Sequence, residues 1–231
     1  TLANTGLIDL QAGLYDRPDL LPDALHPTAE GAGIIARTVC QALTGDYGGL
    51  QMPMTYSDNM VLQREKPLRI VGTANAGEKV TVDIAGQKGE AVTAPDGKWS
   101  VTLPPMKAGG PYTLSISAAS GKLDYTNVLI GEVWLCSGQS NMAFQVSSAV
   151  DSQRKAFLEF AARKPEIRLF DMKPRWATSA VEWDISTLDS LNRLQYYRDT
   201  EWKECNEETA NRFSAVAFAF GQMLSDSLQV P

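Results

Sequence analysis

Histidine is almost missing from this chain: His26 is the only one in 231 residues. Any chemistry that needs an imidazole from within the chain must use His26, and histidine-rich metal centres are excluded. Cysteine is scarce too. Cys40, Cys136 and Cys205 are an odd number without metal-type spacing, so at least one is free within a single chain, and Cys40 and Cys136 are expected in the core. Basic charge is in the minority, with 21 Lys and Arg against 27 Asp and Glu and a formal net charge of -6. Nucleic acid and anionic membrane surfaces require concentrated Lys and Arg, so neither is an expected partner, and neutral substrates or polysaccharides fit better. No apolar run approaches the roughly 20 residues of a membrane span, so no membrane insertion is expected. The opening residues Thr1-Leu2-Ala3-Asn4-Thr5 lack the basic start and apolar core of a secretion signal.

What is present is the composition of a folded protein, 44% hydrophobic and 21% charged, with length for one large domain or two modest ones. Residues 47–130 have little helical periodicity and frequent turn signals, among them Asn75-Ala76-Gly77, Pro95-Asp96-Gly97 and Ala108-Gly109-Gly110-Pro111. Strands are expected at 68–71, 79–84, 90–93, 98–103, 112–117 and 123–129. Val80, Val82 and Ile84 alternate with polar residues, as do Trp99, Val101 and Leu103, which is the pattern of half-buried antiparallel strands. Short strands at such intervals predict a β-sandwich. Its aromatics, Tyr56, Trp99, Tyr112 and Tyr125, are few enough to be used up in its core.

On either side the pattern changes. Residues 6–10 read as a short strand, followed by a proline-punctuated loop through Pro18 and Pro22. Pro27 disfavours helix at His26, Thr28 is a good N-cap, and Ile34, Ile35, Thr38, Val39, Ala42 and Leu43 form an apolar stripe up to Gly45. Asp23 and His26 therefore lie on a loop entering a helix. A carboxylate three residues before an imidazole can accept its Nδ1-H, fix the tautomer and leave Nε2 free as a base; a loop aspartate beside a solvated histidine is the plainer reading.

The stretch Gly131-Glu132-Val133-Trp134-Leu135-Cys136-Ser137-Gly138-Gln139-Ser140-Asn141-Met142 reads as a buried strand, 133–136, ending in a polar turn. A turn past the carboxyl end of such a strand is where open α/β sheets collect catalytic groups, which makes Ser140 the candidate nucleophile; a plain turn serine is the competing reading. Beyond it, 151–162 reads as a helix with Phe157, Leu158 and Ala161 on its buried side, and 167–172 as a strand, giving βαβ order. Residues 175–206, with Trp176, Trp183 and Trp202, read as a long loop over the site, its tryptophans forming a small core of their own or stacking on sugar rings. Residues 211–228 are the clearest helix, with Val216, Phe220, Leu224 and Leu228 at intervals of four beside a small-residue stripe of Ala217, Gly221 and Ser225.

Three strings carry a resemblance to a known family. The stretch from Gly131 to Met142 resembles the nucleophile block of the SGNH (GDSL-like) hydrolases, specifically the sialate O-acetylesterase family, which implies that Ser140 is the catalytic serine. It is not the Gly-x-Ser-x-Gly elbow, because Asn141 and Met142 follow. Ser57-Asp58-Asn59-Met60-Val61-Leu62-Gln63-Arg64 resembles the string that opens the β-rich domain before the serine block in that family, so the resemblance runs from about residue 54 to 231. Pro22-Asp23-Ala24-Leu25-His26-Pro27, with Ala29-Glu30-Gly31-Ala32 behind it, resembles the Asp-x-x-His-Pro block that closes SGNH domains, implying Asp23 and His26 as orienting carboxylate and base.

Here that closing block precedes the serine block. The arrangement this implies is a tandem: residues 1–46 as the end of one SGNH domain, 47–130 as a β-sandwich, and 131–231 as the beginning of a second SGNH domain. The implied fold class is α/β, with flavodoxin-like three-layer segments and an all-β sandwich between them. Two other arrangements remain, a permuted single site in which Asp23 and His26 serve Ser140, and a complementing polypeptide fragment or second copy that supplies another Asp-x-x-His. The family's oxyanion Gly and Asn blocks find no match, and only the backbone N-H of Ser140 carries over as a donor. The resemblance implies a serine carboxylic-ester hydrolase that removes O-acetyl groups from carbohydrates through an acyl-serine, without metal or cofactor, in the periplasm or outside the cell. A non-catalytic glycan-binding or scaffold module with vestigial hydrolase segments is the alternative.

Overall fold

Alternation of apolar and polar side chains builds seven strands between residues 61 and 131. These are β1 (Val61–Gln63), β2 (Leu68–Thr73), β3 (Lys79–Ile84), β4 (Gln87–Val92), β5 (Lys98–Leu103), β6 (Gly109–Ala118) and β7 (Gly121–Gly131). The structure, a computed structural model, describes residues 8–11, 14, 17–23, 25–176, 187–188, 191 and 196–231. A five-stranded mixed sheet runs in the order β1-β7-β6-β3-β4, and β2 pairs with β5 in a second sheet of two strands. Only β1 is parallel to its neighbour β7, in the register Val61↔Leu129, Leu62↔Ile130, Gln63↔Gly131; the pairs β2–β5, β3–β4, β3–β6 and β6–β7 are antiparallel.

The predicted inward residues of β3 and β5 point inward. Val80, Val82 and Ile84 are fully buried and share one core with Leu68, Ile70, Trp99, Val101, Leu103, Leu114, Ile116, Val128 and Ile130. The five-stranded sheet curls until β4 lies against β5, and Gly89 permits it: a Cβ there would stand 2.6 Å from Val101 Cγ1 and 2.8 Å from Leu103 Cδ2. β4 begins earlier than its sequence suggests. Ile84 pairs directly with Gln87, so Ala85 and Gly86 form a two-residue turn with φ of 53° and 80°, a hairpin that an Ala-Gly pair announces weakly.

In the first segment Ile8, Asp9 and Leu10 form no strand, and Gly6 and Leu7 lie outside the described residues. The helix forms as predicted: α1 (Ala29–Thr44) starts where Thr28 accepts from the Gly31 N-H and stops at Gly45, in the left-handed region at φ 71°. Its C-terminal end is fastened to the β2–β3 turn, where Ala76 N-H donates to Gly45 O at 2.8 Å and Tyr47 N-H to Asn75 Oδ1 at 2.8 Å. The apolar stripe of α1 packs little, and Leu43 is 75% exposed.

After β7 come α2 (Ser140–Ala143), α3 (Asp151–Ala161), β8 (Arg168–Phe170), β9 (Trp202–Glu204), α4 (Glu207–Asn211) and α5 (Ala215–Leu228). Val146, Phe160, Ala161, Leu169, Cys205, Ala210, Ala215 and Phe218 form a second core. The fold is thus mixed α/β. The expected βαβ order is not realised, because β8 pairs antiparallel with β9 and residues 132–138 are not a strand. Nor do the cysteines fall as expected: Cys40 is exposed, Cys136 half-buried, and Cys205 is the buried one, where desolvation pushes its thiol up to about 12. α5 packs through Ala215, Ala217, Phe218 and Ser225, while Val216, Phe220 and Leu228 of the predicted large-residue stripe stay exposed.

A polar node joins the two cores. Arg168, with a side chain only 3% exposed, pairs with Glu204 at 3.4 Å and donates to Asn127 Oδ1 at 3.3 Å. Asn127 donates in turn to Glu204 Oε1 at 2.7 Å and Asn59 Oδ1 at 2.8 Å. Trp202, read from sequence as a loop residue, is a tie: its indole N-H donates to Thr55 O and its main-chain N-H to Ser57 Oγ, both at 2.9 Å. Trp183 lies outside the described residues. Replacing Ile116 with Ala in the first core is expected to cost about 2–5 kcal/mol of stability, read as a lowered urea midpoint, whereas Leu43→Ala on exposed α1 should leave that midpoint nearly unchanged.

Candidate active site

Ser140 is the first residue of α2, one turn long, and its side chain is exposed. The turn is tight because Gly138 passes close to Met142, where a Cβ would come within 3.2 Å of the Met142 Cβ. Gln139 O accepts from the N-H groups of Met142 at 2.8 Å and Ala143 at 3.2 Å, which leaves the N-H of Ser140 uncommitted to the helix. Among the described residues the Ser140 hydroxyl has no hydrogen-bond partner.

Both sides of the serine segment are anchored. Downstream, Ala215 N-H donates to Phe144 O at 2.8 Å and Val146 N-H to Phe213 O at 3.0 Å, and Ser214 Oγ meets Met142 Sδ at 3.3 Å. Upstream, Arg64 Nε donates to Glu132 Oε1 at 2.7 Å, Gln63 Nε2 to Glu132 Oε2 at 3.2 Å, and Val133 N-H to Gln63 Oε1 at 3.0 Å. The Arg64 guanidinium, with Gln63 second, holds the Glu132 carboxyl below its usual range. Between the anchors the expected buried strand is absent. Val133, Trp134 and Leu135 are 40%, 57% and 89% exposed, because no strand among the described residues lies beside them; Trp134 rests edge-on against Phe220 at 5.3 Å.

Asp23 and His26 do meet as their spacing predicts. Asp23 Oδ2 lies 2.6 Å from His26 Nδ1, while Oδ1 accepts the His26 N-H at 2.6 Å and the Leu25 N-H at 3.0 Å. The His26 side chain is 77% exposed. No hydrogen bond or ion pair among the described residues joins this pair to Ser140.

The C-terminal end of α1, which follows the pair, is fastened at Ala76, beside the start of β3; Glu78 next to it accepts from Ser120 Oγ at 2.6 Å, beside the start of β7. Ser140 follows the far end of the same 11-residue strand, roughly 35 Å away along an extended chain. The C-terminal end of α1 and the serine segment are thus tethered at opposite ends of β7.

Two cavities lie away from all three residues, one of about 490 Å³ against Asp151, Arg154 and Glu207, the other of about 240 Å³ between Leu169, Asp171, Arg198 and Arg212. Among the described residues no group of three His, Cys, Asp or Glu side chains is placed to hold a metal ion, and no helix is long and apolar enough to cross a membrane. The residue pattern marks Ser140 but not its upstream anchor. The available signal was polar: Gln63, Arg64 and Glu132 close to short apolar runs that they do not extend.

No protein-family model matches the chain. The sialate O-acetylesterase of Homo sapiens is 32% identical over 194 residues, covering 79% of this chain and 36% of that protein. That of Mus musculus is 33% identical over 194 residues, 77% of this chain and 34% of its own length. The crystal structure of a carbohydrate acetylesterase from Xanthomonas citri superposes with a TM-score of 0.66 at 30% identity, over 79% of this chain and 38% of that one. The chain therefore spans about a third of the length of the curated relatives it matches.

The Asp23 carboxyl is lowered from 3.8 to about 2, first by the His26 main-chain N-H, then by the His26 ring and the Leu25 N-H. A depressed carboxylate stabilises the folded turn fully above the unfolded value and loses that contribution as pH falls through about 2. A carbon-detected NMR titration of Asp23 should give a midpoint near 2. In His26→Ala the midpoint should rise yet stay below 3.8, because alanine keeps the main-chain donor.

Proposed function

The chain is SGNH hydrolase-like over most of its length, and specifically sialate O-acetylesterase-like; on that premise we propose that it is part of a serine esterase that removes O-acetyl groups from carbohydrates. The observation that carries the reading is the placement of Ser140: solvent-facing, at the start of a helical turn, with a free main-chain N-H, on a segment pinned at both sides. Ser140 Oγ attacks the ester carbonyl while an imidazole takes its proton. The Ser140 N-H faces the oxyanion, the sugar hydroxyl leaves with the proton, and water then releases acetate from the acyl-serine.

The imidazole for Ser140 comes from outside the described arrangement, either from further polypeptide or from a complementing chain. The Asp23–His26 pair has the right chemistry but no contact with Ser140 among the described residues, and we assign it to the closing block of another SGNH domain, residues 1–46, serving a different serine. Residues 47–130 then form a β-sandwich spacer, supported by the single core shared by the two sheets, and residues 131–231 open the second hydrolase domain. Acetylated carbohydrate is the substrate class of this proposal, and the periplasm or cell exterior its location. A purely glycan-binding role is disfavoured, because the relatives and the structural neighbour are named as esterases.

The test is hydrolysis of p-nitrophenyl acetate and of acetylated sugars by the longest available form of the protein. Ser140→Ala should lower kcat/KM by at least about a thousandfold at this site, as loss of a nucleophile does, and His26→Ala should leave that loss-sensitive activity unchanged. Equal loss in both variants would place the two residues in one site and overturn the tandem arrangement.

A further inference from the structure

β1 and β7 run parallel until Gln63 faces Gly131, and there the main-chain ladder ends. It ends because Glu65 adopts φ 56° and sends the chain away, its N-H donating to Met106 O at 2.8 Å. β7 nevertheless continues in a fixed direction. Arg64 N-H still donates to Gly131 O at 2.8 Å, and from that point side chains replace the missing rungs.

The Gln63 amide acts as a peptide group would, with its oxygen accepting the Val133 N-H at 3.0 Å and its nitrogen donating to Glu132 Oε2 at 3.2 Å. Only one orientation of the amide satisfies both contacts, since a carboxylate cannot donate and a main-chain N-H cannot accept. The other carboxylate oxygen takes the Arg64 Nε-H at 2.7 Å. On the opposite flank Glu132 N-H donates to Pro231 O at 2.8 Å. The two strings read from sequence as separate marks of resemblance are thus one physical object, the Leu62-Gln63-Arg64 end of the first holding the Glu132-Val133 start of the second.

We infer that Gln63 and Arg64 are positioning residues: through Glu132 and Val133 they fix the direction in which the chain leaves the sheet toward Ser140. Ser140 is seven residues beyond Val133. With the main chain of residues 134–138 unpaired among the described residues, this clamp is the upstream main-chain anchor of the serine segment, opposite the downstream contacts of Met142, Phe144 and Val146 with residues 213–215. The catalytic meaning of the clamp rests on Ser140 being the nucleophile, but its hold on the segment does not, and the two are separable by experiment.

Amide hydrogen exchange by NMR on the intact chain reads the hold. Gln63→Ala should speed exchange of the Val133 amide at least tenfold while the Val128 and Ile130 amides keep their wild-type rates. Arg64→Ala should speed it in the same direction, and Arg64→Lys, which keeps a cation beside Glu132, should retain most of the protection, which a general packing role would not allow. Unchanged Val133 exchange in Gln63→Ala overturns the inference, as does acceleration shared equally by Val128 and Ile130. Labelling of Ser140 by a fluorophosphonate, in the longest form of the protein, then separates the readings. Slower labelling in Gln63→Ala supports positioning of a nucleophile, whereas no labelling in wild type with Val133 protection still dependent on Gln63 removes Ser140 as nucleophile and leaves the clamp standing.

Discussion

A guanidinium removed from water has to be met by charge and by acceptors, and Arg168 is the point at which this chain accepts that obligation. Burial lowers its pKa, while Glu204 and Glu166 favour the charged form. Glu204 on β9 and Asn127 on β7 meet the cation directly, Asn127 reaches on to Asn59 on the loop before β1, and the buried Arg168 Nε keeps no hydrogen-bond partner among the described residues. Asn127 makes its contacts from a left-handed backbone at φ 55°, which asparagine tolerates better than a branched residue. The helical part of the chain therefore has a defined seat on the β-rich part, and the serine segment that connects them inherits that geometry.

The β-rich part was legible because its physics is local. Period-two alternation fixes which face of β3 and β5 is wet, and the turn residues fix where strands stop; Thr28 and Gly45 mark α1 because capping satisfies backbone groups within a few residues. Asp23 and His26 were legible for the same reason, three residues being a hydrogen bond's reach along a turn. Residues 133–136 were not. An apolar run has strand character only when neighbouring strands take up its N-H and C=O groups, and those neighbours are distant in sequence or absent from it. The same holds for α5, whose exposed large side chains await a surface while its small ones already have one. Trp202 misleads in the opposite way, looking like a loop aromatic because its partners, Thr55 and Ser57, are some 145 residues away.

Two locally ordered polar elements stand apart in the described residues. One is an exposed histidine oriented by a carboxylate; the other is a serine at a helical turn with a spare main-chain donor. Each is locally well built. Among the described residues no hydrogen bond or ion pair joins them, and the helix behind the histidine is fastened, at its C-terminal end, to the end of β7 away from the serine segment.

The bare segment after Glu132 has a colloidal consequence. Val133, Trp134, Leu135 and Cys136 make a short, uncharged, β-prone window whose main chain, past the Val133 N-H that Gln63 occupies, is open to a strand from another molecule. Gln63 takes the first donor at its entrance and Gly138 breaks it near its exit, so few consecutive main-chain groups are left on which a register can grow. The contact that aims the chain toward its serine is thus also the one that shortens its most adhesive stretch.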